Sequence, residues 1–230
     1  MKIGGLQKTS LQDYPKEVSS IIWTISCNFS CPFCYNKDLV SGNIENIPED
    51  EILSFLEKRK KLVDGLVISG GEPFLQKDLK DFCKKVKKLG YKIKIDTNGT
   101  FPDKLKELID EKLVDYIAMD VKAPKSKYDS LSGVKADIKK IEKSIEIIKK
   151  SGIDYEFKTT FAPGLLGKKD MVDIAKWLKD AKKFYLQQFK NDFPLVSSKF
   201  QDVEPYSKDE LIETLNAIKP YFEICEVRGL

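Results

Sequence analysis

Apolar runs of strand length alternate along this chain with stretches whose apolar residues recur every three or four positions. Val18–Ile25, Gly65–Ser69, Lys92–Asp96, Tyr116–Asp120, Tyr155–Thr160 and Phe184–Phe189, with a shorter run at Phe222–Val227, read as strands. Helical periodicity fills the intervals at about Pro48–Lys61, Lys77–Leu89, Asp103–Ile109, Asp137–Lys150, Lys169–Asp180 and Ser207–Ile218. The first helix shows the logic. Pro48 stands near its start, and Glu49, Asp50 and Glu51 fill the first turn, where the helix dipole favours acids. Ile52, Leu53, Phe55, Leu56 and Leu62 fall broadly on one face, ready to cover a sheet. Gly90 and Gly152 follow two of the helices as stop signals.

Such alternation calls for a parallel sheet covered by helices. Six β/α units in 230 residues fall short of the ~250 typical of a closed eight-fold barrel. The pattern therefore predicts an α/β fold, a partial TIM-like (β/α)6 barrel, with a doubly wound open sheet as the rival arrangement. No repeat, low-complexity tract or linker interrupts it, so residues 1–230 read as a single domain. The longest gap between elements runs from Ser26 to Ile47, and gaps of that length are usually functional or disordered.

Composition narrows the chemistry mainly by what is missing. Hydrophobic residues make up 41% and charged residues 33%, the balance of a folded globular chain. No run approaches the ~18 apolar residues of a membrane span. Met1–Gly5 leads into polar sequence without the apolar core of a signal peptide, so the expected location is cytoplasmic. The formal net charge is only +4, and the lysine runs fall within helical patterns, so neither nucleic acid nor membrane is an expected partner. Histidine is absent, which removes Ser-His-Asp triads, Cys-His dyads and His-ligated zinc.

Three of the five cysteines crowd into eight residues, Cys27-Asn28-Phe29-Ser30-Cys31-Pro32-Phe33-Cys34, directly after the first predicted strand. In barrels, catalytic groups gather at that end of the strands. Three close thiolates suit an iron–sulfur cluster, and three ligands on a 4Fe–4S cluster would leave one iron without a protein ligand. Structural zinc is the alternative, but it needs a fourth ligand, which here means Cys83, Cys225 or a carboxylate. Cys83 lies in a helical pattern beside Phe82 and Val86, and Cys225 in the last apolar run, so both read as core.

Other strand ends also carry chemistry. Ser69-Gly70-Gly71-Glu72-Pro73 follows the second strand, and glycine pairs let backbone approach a ligand closely. Asp96-Thr97-Asn98-Gly99 ends the third strand and Asp120-Val121-Lys122 the fourth. Asp96 and Asp120 fall at the same end of adjacent strands, where a hard cation could bridge their oxygens; pairing of Asp120 with Lys122 is the structural alternative.

The C-x3-C-x2-C spacing, with Phe33 just before the third cysteine, resembles the signature of the radical S-adenosylmethionine superfamily. The resemblance implies a 4Fe–4S cluster on Cys27, Cys31 and Cys34, with S-adenosylmethionine chelating the remaining iron and Phe33 beside its adenine. Ser69–Pro73 looks like the family's GGEP motif, in which the backbone of Gly70 and Gly71 and the Glu72 side chain bind the methionine amino group. Asp96–Gly99 and Asp120–Lys122 match the DTNG and D-x-K motifs of glycyl-radical-enzyme activases. By that resemblance Asp96, Thr97 and Asp120 would build a monovalent-cation site, and Lys122 would contact the carboxylate of S-adenosylmethionine.

Gly4–Pro15, Cys34-Tyr35-Asn36, Phe157–Thr160 and Leu186–Phe189 are similar to the subgroup of anaerobic ribonucleoside-triphosphate reductase activating proteins. This likeness implies an oxidoreductase that cleaves S-adenosylmethionine reductively to a 5′-deoxyadenosyl radical and installs a glycyl radical on a partner enzyme. Its electron would come from a low-potential donor such as flavodoxin or ferredoxin, in an anaerobic cell. A radical enzyme acting on a small molecule or another peptide is the second reading, and a zinc-stabilised binding module the third. Two positions depart from the pattern. Tyr35 stands where histidine is commoner, and Lys190 lies near the late-strand position where the best known activase has histidine.

Overall fold

The structure, a computed structural model, describes residues 1–230. Eight strands form one sheet in sequence order: β1 (Ile3–Ser10), β2 (Ser19–Thr24), β3 (Gly65–Gly70), β4 (Lys92–Thr97), β5 (Tyr116–Asp120), β6 (Asp154–Phe161), β7 (Lys183–Gln188) and β8 (Ile224–Arg228). β2 to β8 are mutually parallel, and β1 pairs antiparallel with β2. The two edges, β1 and β8, do not join, so the barrel is open.

Eight α-helices connect the strands: α1 (Lys37–Ser41), α2 (Glu49–Lys58), α3 (Leu79–Lys88), α4 (Pro102–Asp110), α5 (Tyr128–Ser132), α6 (Ile138–Lys150), α7 (Lys168–Trp177) and α8 (Lys208–Ile218). Apart from the short α1 and α5, they are the six expected crossover helices, with ends shifted by a few residues. The partial (β/α)6 barrel is therefore the fold, and the doubly wound sheet is not.

Alternation along the strands separates two interiors. One set of positions, including Ile22, Leu66, Ile68, Ile93, Ile95, Ile117, Met119, Phe157, Phe184 and Leu186, packs with helix residues such as Ile52, Phe82, Ile145 and Ile174 in a 48-residue core. Cys83 and Cys225 belong to that core. The opposite face is built differently. Ile21, Val67 and Tyr116 join Tyr14 in a separate small cluster, with Trp23 against it, near the amino-terminal ends of β3 and β5. Beyond this plug the concave face turns polar, with Lys94 and Asp96 on β4, Asp120 on β5 and Lys158 on β6 joined by ion pairs, and Glu156 on β6 paired with Arg228 on β8.

β1 is the element the pattern did not announce. Gly4, Gly5, Gln7, Lys8 and Thr9 interrupt any apolar alternation, and the outer flank of this edge strand is paired only at Ile3, by a bridge to Ile47. Its task is local. Ile25 N donates to Lys2 O at 3.0 Å and Ile47 N to Ile3 O at 2.7 Å, so the first residues hold both ends of the cysteine-bearing segment. Gly4 lets α1 pack close, because a Cβ there would stand 2.6 Å from a Leu39 methyl, which would have to shift.

Candidate active site

Cys27, Cys31 and Cys34 all line a hollow at the carboxyl ends of the parallel strands, an opening with about 950 Å³ of atom-free space, its mouth included. Phe29, Phe33, Tyr35, Ser69, Gly70, Gly71, Asp96, Thr97, Asn98, Asp120, Lys122, Lys158, Gln187, Gln188 and Lys190 complete most of its wall. The topology thus brings together three thiols, two glycines, two carboxylates and three lysines that are far apart in sequence.

The cysteine loop is held from several sides. Ser26, in the left-handed region at φ 78°, turns the chain out of β2 and donates its N–H to Leu39 O at 2.8 Å. Ser30 N donates to Ser132 O at 2.8 Å, Val196 N to Cys34 O at 2.9 Å and Ser197 N to Pro32 O at 3.0 Å. Within the loop, Cys34 N donates to Cys31 O at 3.0 Å. A side-chain relay ties the loop to the end of β4. Asn98 Nδ2 donates to Asn28 Oδ1 at 2.9 Å, Asn28 Nδ2 to Thr100 Oγ1 at 2.9 Å, and Thr100 Oγ1 to Asn98 Oδ1 at 2.6 Å. Asn98 Nδ2 also stands 4.0 Å from Cys27 Sγ. Backbone anchors on three sides and a closed amide–hydroxyl relay fix the loop where its thiols face the hollow.

Burial pushes the Cys27 and Cys31 thiols up to about 11 and about 12, and raises Cys34 as well, against the pull of the Lys122 ammonium. Without a metal these sulfurs are protonated at neutral pH; a metal must displace their protons to bind. No three His, Cys, Asp or Glu side chains converge tightly enough to hold a single ion. A cubane asks for something else, since each cysteine holds a different iron corner. Cys83 and Cys225 sit in the core away from the hollow, so neither completes a closed four-cysteine zinc site with the triplet. Three thiols on one wall, with no fourth, fit a cluster that keeps one iron open.

The glycine pair works on the protein itself as well as on the hollow. Gly71 N donates to Thr24 O and Glu72 N to Ser26 O, both at 2.9 Å, stitching the end of β3 to the root of the cysteine loop. Gly70 adopts φ +114°, which L side chains rarely tolerate. Ser69, Gly70 and Gly71 still line the hollow.

Glu72 is placed differently from the residue the GGEP motif suggests. It is fully buried and does not line the hollow. Its carboxylate accepts from Asn98 N at 2.7 Å, Thr97 Oγ1 at 2.9 Å and Phe74 N at 3.1 Å. It braces the Asp96–Gly99 turn from behind. Burial lifts its pKa to about 7 although all three donors favour the anion.

Asp96 and Asp120 do face each other across neighbouring strands, but a lysine stands between them. Lys158 Nζ is 3.5 Å from Asp96 Oδ2 and 3.7 Å from Asp120 Oδ2. Lys94 Nζ takes Asp96 Oδ1 at 2.9 Å, Ser69 Oγ donates to Asp96 Oδ2 at 3.0 Å, and Lys122 Nζ takes Asp120 Oδ1 at 3.1 Å. The Asp120–Lys122 pair expected as the structural alternative is present. Burial works against the charges of Asp96 and Lys158, yet each outcome is set by the other charges. Lys158 and Lys94 hold the Asp96 carboxyl below its usual range, and Asp120 and Asp96 hold Lys158 above its own. Below this row Glu156, fully buried, accepts from Arg228 Nη1 and Nη2 at 2.6 and 2.8 Å and from Tyr116 OH at 2.8 Å.

Lys94 and Lys158 are site residues to which the sequence alone assigns no role. Their signal is nonetheless there: a lysine at the alternate position of an apolar strand, in Ile93-Lys94-Ile95-Asp96 and Phe157-Lys158-Thr159-Thr160. Asn28 and Thr100 give none, because small polar residues in loops are ordinary.

Residues 21–178 match the Radical SAM superfamily, and the chain belongs to that family. It is 36% identical over 233 residues, 99% of this chain and 96% of the relative, to a Methanocaldococcus jannaschii protein described as "Putative glycyl-radical enzyme activating enzyme MJ1227". Among solved structures it resembles Streptococcus suis SuiB bound to S-adenosylmethionine, with TM-score 0.70 and 16% identity, over 89% of this chain and 48% of that one. The chain thus spans about half the length of SuiB. A domain of a pyruvate-formate lyase-activating enzyme from Bacteroides vulgatus gives TM-score 0.56 at 17% identity, over 72% of this chain and 99% of that one. These two likenesses carry the fold. Family membership makes the chain a radical SAM enzyme, and implies a 4Fe–4S cluster and S-adenosylmethionine as its cofactors. No helix is long and apolar enough to cross a membrane.

Proposed function

We propose that this chain installs a glycyl radical on a partner protein, using Cys27, Cys31 and Cys34 to hold a 4Fe–4S cluster in the hollow. The observation that carries the reading is the arrival of those three thiols, Gly70, Gly71 and Lys122 on one wall system at the carboxyl ends of the strands, with no fourth cysteine in reach. The full-length likeness to a protein named as a glycyl-radical enzyme activating enzyme supports the choice of partner class. When bound, the cluster supplies the electron that splits S-adenosylmethionine into methionine and a 5′-deoxyadenosyl radical able to take a hydrogen atom from a glycine Cα.

The residues of the chain bind and orient. Lys122, charged and paired with Asp120 on one side, offers its remaining donors to the carboxylate of S-adenosylmethionine. The backbone of Ser69–Gly71 faces the same ligand, and Phe33 packs toward its adenine. Glu72 acts through Thr97 and Asn98, fixing the turn that closes this wall. Gln187, Gln188 and Lys190, on and just after β7, present polar groups suited to a peptide backbone, and the unjoined edges β1 and β8 leave a side open for it. Hydrogen-atom abstraction needs no general base, in keeping with a chain that has no histidine. The partner is a glycyl-radical enzyme, with anaerobic ribonucleoside-triphosphate reductase the first candidate, and the electron donor is of the flavodoxin or ferredoxin type.

The test is to mix the reduced, cluster-loaded protein with S-adenosylmethionine and each glycyl-radical enzyme of the source organism and record electron paramagnetic resonance. A glycyl doublet with one of them is expected. S-adenosylmethionine cleavage without a doublet on any of them overturns the partner class and points to a small-molecule or other peptide substrate.

A further inference from the structure

Resemblance to the activases leads one to expect an alkali cation on Asp96, Thr97 and Asp120, and the side chains here do not fit one. Asp96 and Asp120 are largely buried, and the space between them holds the Lys158 ammonium, 3.5 Å from one carboxylate and 3.7 Å from the other. This is no chance reach of a long surface side chain. Lys158 pairs in register with Asp120 on the adjacent strand, and its side chain is 15% exposed.

The remaining oxygens are also taken. Lys94 and Ser69 serve Asp96, and Lys122 serves Asp120. Thr97, the third expected ligand, donates its hydroxyl to Glu72 at 2.9 Å and accepts from Gly99 N at 3.1 Å. Three ammonium groups already face these two carboxylates, and the neighbouring Glu156 is matched by Arg228, so the row carries one net positive charge before any ion arrives. A further cation would add a second uncompensated charge in a poorly hydrated place, which is unfavourable.

We infer that Lys158 is a built-in replacement for the alkali cation, a positioning residue whose ammonium holds Asp96 and Asp120 in place beside the ligand site. The chain then needs no sodium or potassium to shape that wall. Its consequence for S-adenosylmethionine rests on the functional reading above; the cation inference itself does not.

Two measurements separate them. The first is sodium NMR on the wild-type chain, where bound sodium broadens the resonance. The second is calorimetric titration of the cluster-loaded protein with S-adenosylmethionine in potassium, sodium and choline chloride at equal ionic strength. For wild type we expect no saturable sodium broadening and affinities equal within about twofold across the three salts. In Lys158→Ala, which vacates the space, affinity in choline chloride falls about tenfold and is partly restored by potassium or sodium. Saturable broadening in wild type that Asp96→Asn abolishes, or wild-type affinity that requires an alkali ion, overturns the inference. So does a folded Lys158→Ala protein without alkali dependence. If that variant does not fold, the two wild-type measurements decide. A wild type that fails to bind S-adenosylmethionine at all defeats the functional reading, and the sodium resonance still decides this one.

Discussion

The Ser26 carbonyl occupies the space where a side chain on Gly71 would stand: a Cβ built there lies 1.9 Å from the Ser26 oxygen. Ser26 is the residue before the first cysteine of the triplet, so the second glycine of Gly70-Gly71 sets how closely the end of β3 approaches the cysteine loop. The sequence invites the thought that the pair makes room for a ligand. The structure shows it first making room for the protein.

Gly71→Ala is therefore expected to displace the loop root by breaking the Glu72 N to Ser26 O bond, destabilising the fold by about 1–3 kcal/mol. The sharper effect is on metal uptake, with iron per chain after anaerobic reconstitution falling well below wild type. Iron content and visible absorbance check it, and full cluster loading in a folded Gly71→Ala protein contradicts it.

Asp96 holds two ammonium groups, Lys94 at 2.9 Å and Lys158 at 3.5 Å. Asp96→Asn strands Lys94 and leaves Lys158 only Asp120, at 3.7 Å, in a largely buried site, and breaking a buried pair from one side costs about 3–5 kcal/mol. Urea denaturation measures the loss. Adding Lys94→Met to Asp96→Asn is expected to recover part of it, because an unpaired buried charge disappears. If the double variant is less stable than Asp96→Asn, the row is not organised as described.

Glu72 titrates in the folded protein at about 7, lifted by burial, against about 4.3 when unfolded. Between those values the native state binds more protons than the unfolded state, so this group's contribution to stability falls as pH rises from about 4 to about 7 and is level above. Glu72→Gln removes the titration. The stability of wild type relative to Glu72→Gln is expected to fall by about 4 kcal/mol across the whole titration. Parallel pH profiles for the two proteins contradict the assignment.

Buried thiols predict slow chemistry in the metal-free protein. With the Cys27 thiol at about 11 and Cys31 at about 12, thiolate fractions at neutral pH are small. Alkylation by iodoacetamide, followed by peptide mapping, is expected to speed up about tenfold per pH unit between pH ~8 and ~10 without a plateau. A plateau near pH ~8 would place the thiols in an electropositive setting and contradict the burial argument.

Much of this is readable in the chain. Parallel strands whose helix-facing residues are Ile93, Ile95, Ile117, Phe157 and Leu186 must be apolar there whatever the site does, so strand and helix alternation survives as a clean signal. The cysteine spacing, the glycine pair and the strand-end carboxylates are legible because each is a short motif at the end of such a strand. β1 is not, since an edge strand built around Gly4, Gly5, Lys8 and Thr9 need not be apolar. The lysine row is hidden for a different reason. Local spacing can pair Asp120 with Lys122, but only register across β5 and β6 brings Lys158 opposite Asp120, and a single sequence carries no register. Glu72 shows the same limit: the motif places it at the site, whereas its direction depends on the Asn98 turn it meets.

The central claim is that Cys27, Cys31 and Cys34 hold a 4Fe–4S cluster that enables S-adenosylmethionine cleavage. The most direct test is iron and sulfide content, together with dithionite-driven formation of 5′-deoxyadenosine, on protein reconstituted without oxygen. About four irons per chain and reductant-dependent 5′-deoxyadenosine are expected, with both lost in Cys31→Ala. A colourless protein carrying one zinc, or a Cys31→Ala protein that keeps its iron and its activity, contradicts the claim.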